Sequence, residues 1–178
     1  MPTKLPRKSE LKNHLQQGFT LIELVIGMLV IAIAVVMLTS MLFPQGDRAV
    51  KTLQRVRSAE LAHSVMNEIW GKRYDENTGA SGGVPACDSP LGVPCSAVLG
   101  PESSEGRNDY DDIDDYNGLD ESFTMLDSSQ TYAEAYPNYR LNVSVAYNPD
   151  VTNTKLVTIS VTTPDAEVIT YNMVRSNY

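Results

Sequence analysis

The chain has 178 residues, 42% of them hydrophobic and 20% charged, with a net charge of −8 at pH 7. That length holds one compact domain plus a long additional helix. The acidic balance is a poor electrostatic match for nucleic acid or anionic lipid.

Charge and hydrophobicity are distributed unevenly along the chain. The first 18 residues carry Lys4, Arg7, Lys8 and Lys12 against Glu10, a net of +3, which leaves −11 on the remainder. Residues 19–43 follow as an apolar run with one ionisable side chain, Glu23. As a helix this run reaches roughly 38 Å at about 1.5 Å per residue, against a hydrocarbon core of about 30 Å. The competing reading is a core helix of a soluble domain, which seldom runs so long and so apolar. A basic leader of this kind holds the N-terminus in the cytoplasm, so the body after residue 43 is expected in the periplasm or outside the cell.

The junction reads Gln17-Gly18-Phe19-Thr20-Leu21-Ile22-Glu23-Leu24-Val25. A conventional secretory signal is cut after its apolar segment. Here the candidate junction precedes that segment, so cleavage removes the charge and keeps the anchor. The run Gly18 to Glu23 resembles the type III signal of type IV prepilins and type II secretion pseudopilins. That resemblance implies cleavage by a membrane prepilin peptidase after Gly18, a mature N-terminus at Phe19, and methylation of the Phe19 amine. It places Glu23 at the family's glutamate five residues into the mature chain, whose implied partner is the free amine of a neighbouring subunit. A carboxylate inside a membrane helix costs at least a few kcal/mol and needs a partner or a function. Pairing would relieve part of that cost and fix subunit register. Snorkelling to lipid headgroups is the alternative.

Gly27 permits close helix approach, but no GxxxG pair accompanies it. Pro44 and Gly46 punctuate the helix beyond the membrane. They suit either a bent or melted stem or a short break between two independent helices. From Asp47, a plausible N-cap, to about Lys72, the residues Val50, Leu53, Val56, Ala59, Ala62, Val65, Met66, Ile69 and Trp70 recur at spacings of three and four. They predict an amphipathic stem helix with Met66 and Trp70 in its core face, ending at Gly71.

Residues 74–120 are rich in Gly, Pro, Ser and Asp and predict irregular structure. Cys87 and Cys95, the whole thiol inventory, read as one disulfide in an oxidising compartment. A redox or zinc role lacks the CxxC spacing or further ligands. The acidic run Asp109, Asp111, Asp112, Asp114, Asp115 and Asn117 suggests calcium ligands. EF-hand spacing fails, because a glycine position at Gly118 puts Ile113 first and Thr124 last. A nonstandard Ca2+ site and a solvated acidic loop both stand, and aspartate-rich segments of similar type occur in the resembled family. No other cofactor is indicated.

The last third predicts antiparallel sheet. Tyr139, Leu141, Val143, Val145 and Tyr147 alternate with polar residues, a second run covers 156–163, and Pro164-Asp165-Ala166 turns into a third at 168–174. A short extra strand is expected near 123–126. The Asn142-Val143-Ser144 sequon lies inside a strand and reads as coincidence.

The expected architecture is α+β and pilin-like: a long N-terminal hydrophobic helix packed against a small C-terminal antiparallel sheet. Its segments are a cleaved leader (1–18), a transmembrane and assembly helix (19–43), a stem helix (44–73), a disulfide-containing acidic loop region (74–120) and the sheet (121–178). Catalysis is not expected. His14 falls in the leader, His63 has no nucleophile motif beside it, and no G-x-x-x-x-G-K-[ST] loop occurs. Three functions stand: a minor type IV pilin, a type II secretion pseudopilin, and an anchored periplasmic binding protein. The last does not account for Gly18, Phe19 and Glu23. Residues 59–69, Lys72-Arg73-Tyr74-Asp75-Glu76 and Asp111-Asp112-Ile113-Asp114-Asp115-Tyr116-Asn117-Gly118 resemble the D-type minor pilins of mannose-sensitive haemagglutinin (MSHA) pili. This resemblance implies other pilins, the prepilin peptidase and an inner-membrane assembly platform as partners, and a single-pass inner-membrane protein that passes to a surface-attachment pilus.

Overall fold

The computed structural model describes residues 18–80, 83–103 and 105–177. The leader, including Lys4, Arg7, Lys8, Lys12 and His14, lies outside the described residues apart from Gly18. The chain divides into two compact units, Met1–Asp47 and Arg48–Tyr178. Helix α1 covers Leu21–Trp70 and contributes to both.

In the first unit every described side chain is exposed. Its apolar residues, among them Phe19, Leu21, Val36 and Phe43, meet no protein core. The predicted break between two independent helices at Pro44 and Gly46 is not formed, since both lie inside α1 and Asp47 is not a cap. A proline deletes one i→i−4 hydrogen bond and costs about 3 kcal/mol. Helical turns on either side, once nucleated, propagate at one hydrogen bond per residue and carry the helix through.

In the second unit the last turns of α1 bury Ser58, Leu61, Ala62, Val65 and Ile69 at spacings of three and four. The predicted apolar face is therefore only half used. Val50, Leu53 and Val56 remain exposed. Trp70, expected in the core, is 63% exposed, with the Arg175 guanidinium 5.1 Å from its ring. The indole sits one residue beyond the last inward position, Ile69.

Three strands, β1 (Arg140–Tyr147), β2 (Thr154–Thr162) and β3 (Val168–Ser176), form an antiparallel sheet in the order β1-β2-β3. Val143 faces Ile159, and Ile159 faces Tyr171. Alternation puts Leu141, Val143, Val145, Val157, Ile159 and Val161 on the buried face. They share one core with Leu61, Val65 and Ile69 of α1. The fold is thus α+β, a long N-terminal apolar helix with a small C-terminal three-stranded antiparallel sheet.

The strand expected near 123–126 is reduced to one bridge between Thr124 and Thr131. The chain turns there into the short helix α2 (Tyr132–Ala135), which Thr131 and Glu134 close with a reciprocal capping box. The irregular stretch before it is not a peripheral loop. Tyr110, Ile113, Tyr116 and Leu119 are buried in the common core, and a 3₁₀ turn at Asp114–Tyr116 aims the last of the tyrosines inward.

Cys87 and Cys95 are joined by a disulfide. Gly92 lies within the loop it closes, where a Cβ would collide with the Ala86 carbonyl. Closing a loop of about nine residues stabilises by roughly 2–3 kcal/mol on the loop-entropy model. Replacing both cysteines by serine should lower denaturant stability by that amount. Chemical unfolding of the full chain in detergent, with and without reductant, checks it, and reductant should have no further effect on the variant.

Candidate functional site

Helix α1 starts just after the junction. Thr20 stands immediately before it, where its carbonyl accepts from the Leu24 amide at 3.2 Å and its hydroxyl from the Glu23 amide at 3.3 Å. Gly18 and Phe19 precede the helix and are exposed, and a Cβ at Gly18 would meet nothing within 4 Å. Gly18, Phe19, Thr20 and Glu23 line one shallow hollow. The Glu23 carboxylate stands in the first helical turn, where unpaired amides and the helix dipole favour a negative charge.

The six residues suggested as calcium ligands do not converge. Asp109 accepts from the Gly106 amide, and Asp111 pairs with Arg73. Asp112 Oδ1 accepts from the amides of Asp114 and Asp115, while Asp115 Oδ2 accepts from those of Asp111 and Asp112. Asp114 pairs with Lys155. Asn117 donates to the Leu99 carbonyl at 3.0 Å and accepts from the Val145 amide at 3.0 Å. Nor is the segment a solvated acidic loop, because Asp112, Asp114 and Asp115 are each 1% exposed. One carboxylate oxygen of each is engaged in a turn or an ion pair that folds the segment into the core.

The centre of this arrangement is Lys155, fully buried on β2. Its ammonium donates to the Tyr74 carbonyl at 2.7 Å, to Asp75 Oδ2 at 2.9 Å and to Asp114 Oδ1, with the Tyr74 ring 4.5 Å away. Asp75 also accepts from the Asn77 and Ser96 amides and the Ser96 hydroxyl. Burial alone would raise the Asp75 pKa, but the ammonium and these amides outweigh it and hold the carboxyl below its usual range. Burial raises Asp114, and Lys155 offsets only part of this. A second buried group joins Arg107 to Glu68, with the Tyr132 hydroxyl donating to Glu68 at 3.0 Å and accepting from Arg107 at 3.0 Å. Lys155, Asp75, Arg107 and Glu68 were not singled out from sequence. Lys155 did carry a signal: it has the same strand parity as Val157, Ile159 and Val161, which face inward. His63 is exposed on α1, its ring tilted 6.3 Å from Tyr171.

Among the described residues one helix, α1, is long and apolar enough to cross a membrane. Residues 13–39 match the prokaryotic N-terminal methylation motif. Neither curated proteins nor solved structures give a match. The chain therefore carries a type IV prepilin-like N-terminal motif, which supports a pilin-like or pseudopilin protein processed by prepilin peptidase. Proteins of this type are structural subunits.

Two predictions follow from the buried charges. Lys155→Met leaves Asp75 and Asp114 buried without their cation, which should cost about 3–5 kcal/mol; urea unfolding of the full chain in detergent reads this directly. Asp112 is pushed up to about 8, first by burial and then by the neighbouring Asp114 and Asp115 charges. The native state then holds a proton that the unfolded chain has released, so stability falls as pH rises from about 4 towards 8. Asp75 acts oppositely, but its depressed pKa places that effect below the unfolded carboxyl pKa of about 4, outside this window. Thermal unfolding in EDTA should show a declining midpoint between pH 5 and pH 8, within that window, and Asp112→Asn should flatten the decline.

Proposed function

We propose that the chain is a minor type IV pilin-like subunit of a surface-attachment pilus of the MSHA type. It is cut between Gly18 and Phe19, methylated on the new Phe19 amine, and held in the inner membrane with its acidic body in the periplasm until assembly. The observation that carries this reading is the methylation motif over residues 13–39, ending in a helix segment whose apolar surface has no protein covering. Extraction from the bilayer into a filament would bury that surface against the same segment of other subunits. Glu23 would pair with the amine of a neighbour's Phe19. Hydrophobic burial is non-directional, whereas a charge pair in an apolar surround fixes register.

The motif is shared with type II secretion pseudopilins. The pilus reading is preferred on the resemblance of residues 59–69, Lys72 to Glu76 and Asp111 to Gly118 to D-type minor pilins. Deletion of the gene should abolish or alter surface attachment; loss of secretion with attachment intact assigns the pseudopilin role instead.

Intact-mass and N-terminal analysis of the protein from native membranes and sheared filaments tests processing. A chain starting at Phe19 with one added methyl group is expected in both fractions. A chain retaining residues 1–18 in cells with active prepilin peptidase refutes the pilin and pseudopilin readings together. Glu23→Ala should still be cleaved yet be depleted from filaments by at least about ten-fold, the equivalent of about 1.4 kcal/mol. Incorporation at the wild-type level removes Glu23 from the assembly mechanism.

A further inference from the structure

Three carboxylates from the irregular region that belong to neither buried ion pair meet one another. Glu102, Glu105 and Asp115 each offer an oxygen, and these oxygens lie within 4.8 Å of one another. The group ranges from exposed Glu102 through half-buried Glu105 to buried Asp115. None of the three forms an ion pair with a lysine or arginine among the described residues.

The hydrogen-bond accounting inside this group is incomplete. Asp115 Oδ2 is satisfied by the two amides at Asp111 and Asp112. Its other oxygen, Oδ1, is buried without a partner, and so is Glu105 Oε2. The Asp115 side chain is 1% exposed and its carboxylate reaches both glutamates. Ionised carboxylates only accept hydrogen bonds, so buried oxygens facing one another need either a shared proton or a cation between them. An unpaired buried acceptor is otherwise costly.

We infer that Glu102, Glu105 and Asp115 form a binding site for one calcium ion. The donor set consists of hard oxygens only, which selects calcium over softer metals. Two oxygens on one calcium at about 2.4 Å each are at most about 4.8 Å apart, and all three meet that limit. Two amide bonds fix Asp115 in orientation, as an outer shell does for a metal ligand. The exposed side at Glu102 leaves room for water to complete the six to eight ligands that calcium takes. Of the residues suggested from sequence, only Asp115 belongs to this site.

Thermal unfolding of the full EDTA-treated chain in detergent, titrated with CaCl2 at pH 7.5, tests the inference. The midpoint should rise saturably, with half-saturation at about 10⁻⁴–10⁻³ M, the range of extracellular calcium modules. Glu105→Gln should raise the half-saturating concentration by at least about ten-fold, as loss of a charged ligand requires. Glu102→Gln, a change at an exposed position, should weaken binding in the same direction and serves if the first variant folds poorly. Asp109→Asn should bind like the wild type. A midpoint indifferent to calcium overturns the site and leaves a proton shared between Glu105 and Asp115. A calcium response that persists unchanged in both glutamate variants, or that disappears in Asp109→Asn, overturns it as well.

Discussion

The second unit depends on one buried cation. Lys155 enters the core on a strand whose neighbours at the same parity are valine and isoleucine. There it holds the Tyr74 carbonyl, Asp75 and Asp114. Removing an ammonium and two carboxylates from water costs several kcal/mol per ion, so such a cluster adds little net stability compared with a packed apolar core. What it supplies is placement. The exit of α1, the segment carrying the disulfide and the turn at residue 114 have few regular backbone ladders of their own, and each is tied to the sheet through this ammonium. Asp75 extends the tie by accepting from the Ser96 amide, beside Cys95.

That tie explains why an irregular region rich in proline and glycine contributes Tyr110, Ile113, Tyr116 and Leu119 to the core. Irregular backbone can enter an interior only if its polar groups find partners. Here the aspartates provide them. Asp112 and Asp115 accept each other's neighbouring amides, and Asn117 bridges Leu99 to β1. The acidic run is therefore a device for burying backbone. The formal charge of the body overstates its surface charge, because several of these carboxylates face inward.

Much of the fold was legible from residue pattern. The three strands follow from period-two alternation, and the apolar helix from an uninterrupted hydrophobic run. The disulfide follows from a close cysteine pair in a chain whose body is expected in an oxidising compartment. The rest depended on non-local partners. Nothing local distinguishes Asp75 from a solvated aspartate, because its role is set by Lys155, eighty residues away. The same reason scattered the suggested calcium ligands: spacing along a chain does not say which carboxylates a distant lysine or a nearby turn will claim. Trp70 and Val50 show the complementary error. Helical periodicity marks an apolar face but not how many turns of it a small sheet can cover.

Carboxylates in this chain thus fall into different classes under one physical rule, that a charge removed from water must find a partner. Asp75 and Asp114 have theirs within the chain, in Lys155, and act on folding. Glu23 has no charged partner among the described residues and stands on a helix segment that no described residue of its own unit covers. In a bilayer or a bundle of like helices the low dielectric around it would make a passing cation far more attractive than in water. A lone acid in such a segment is poorly suited to holding one chain's fold and well suited to choosing where a second chain stops.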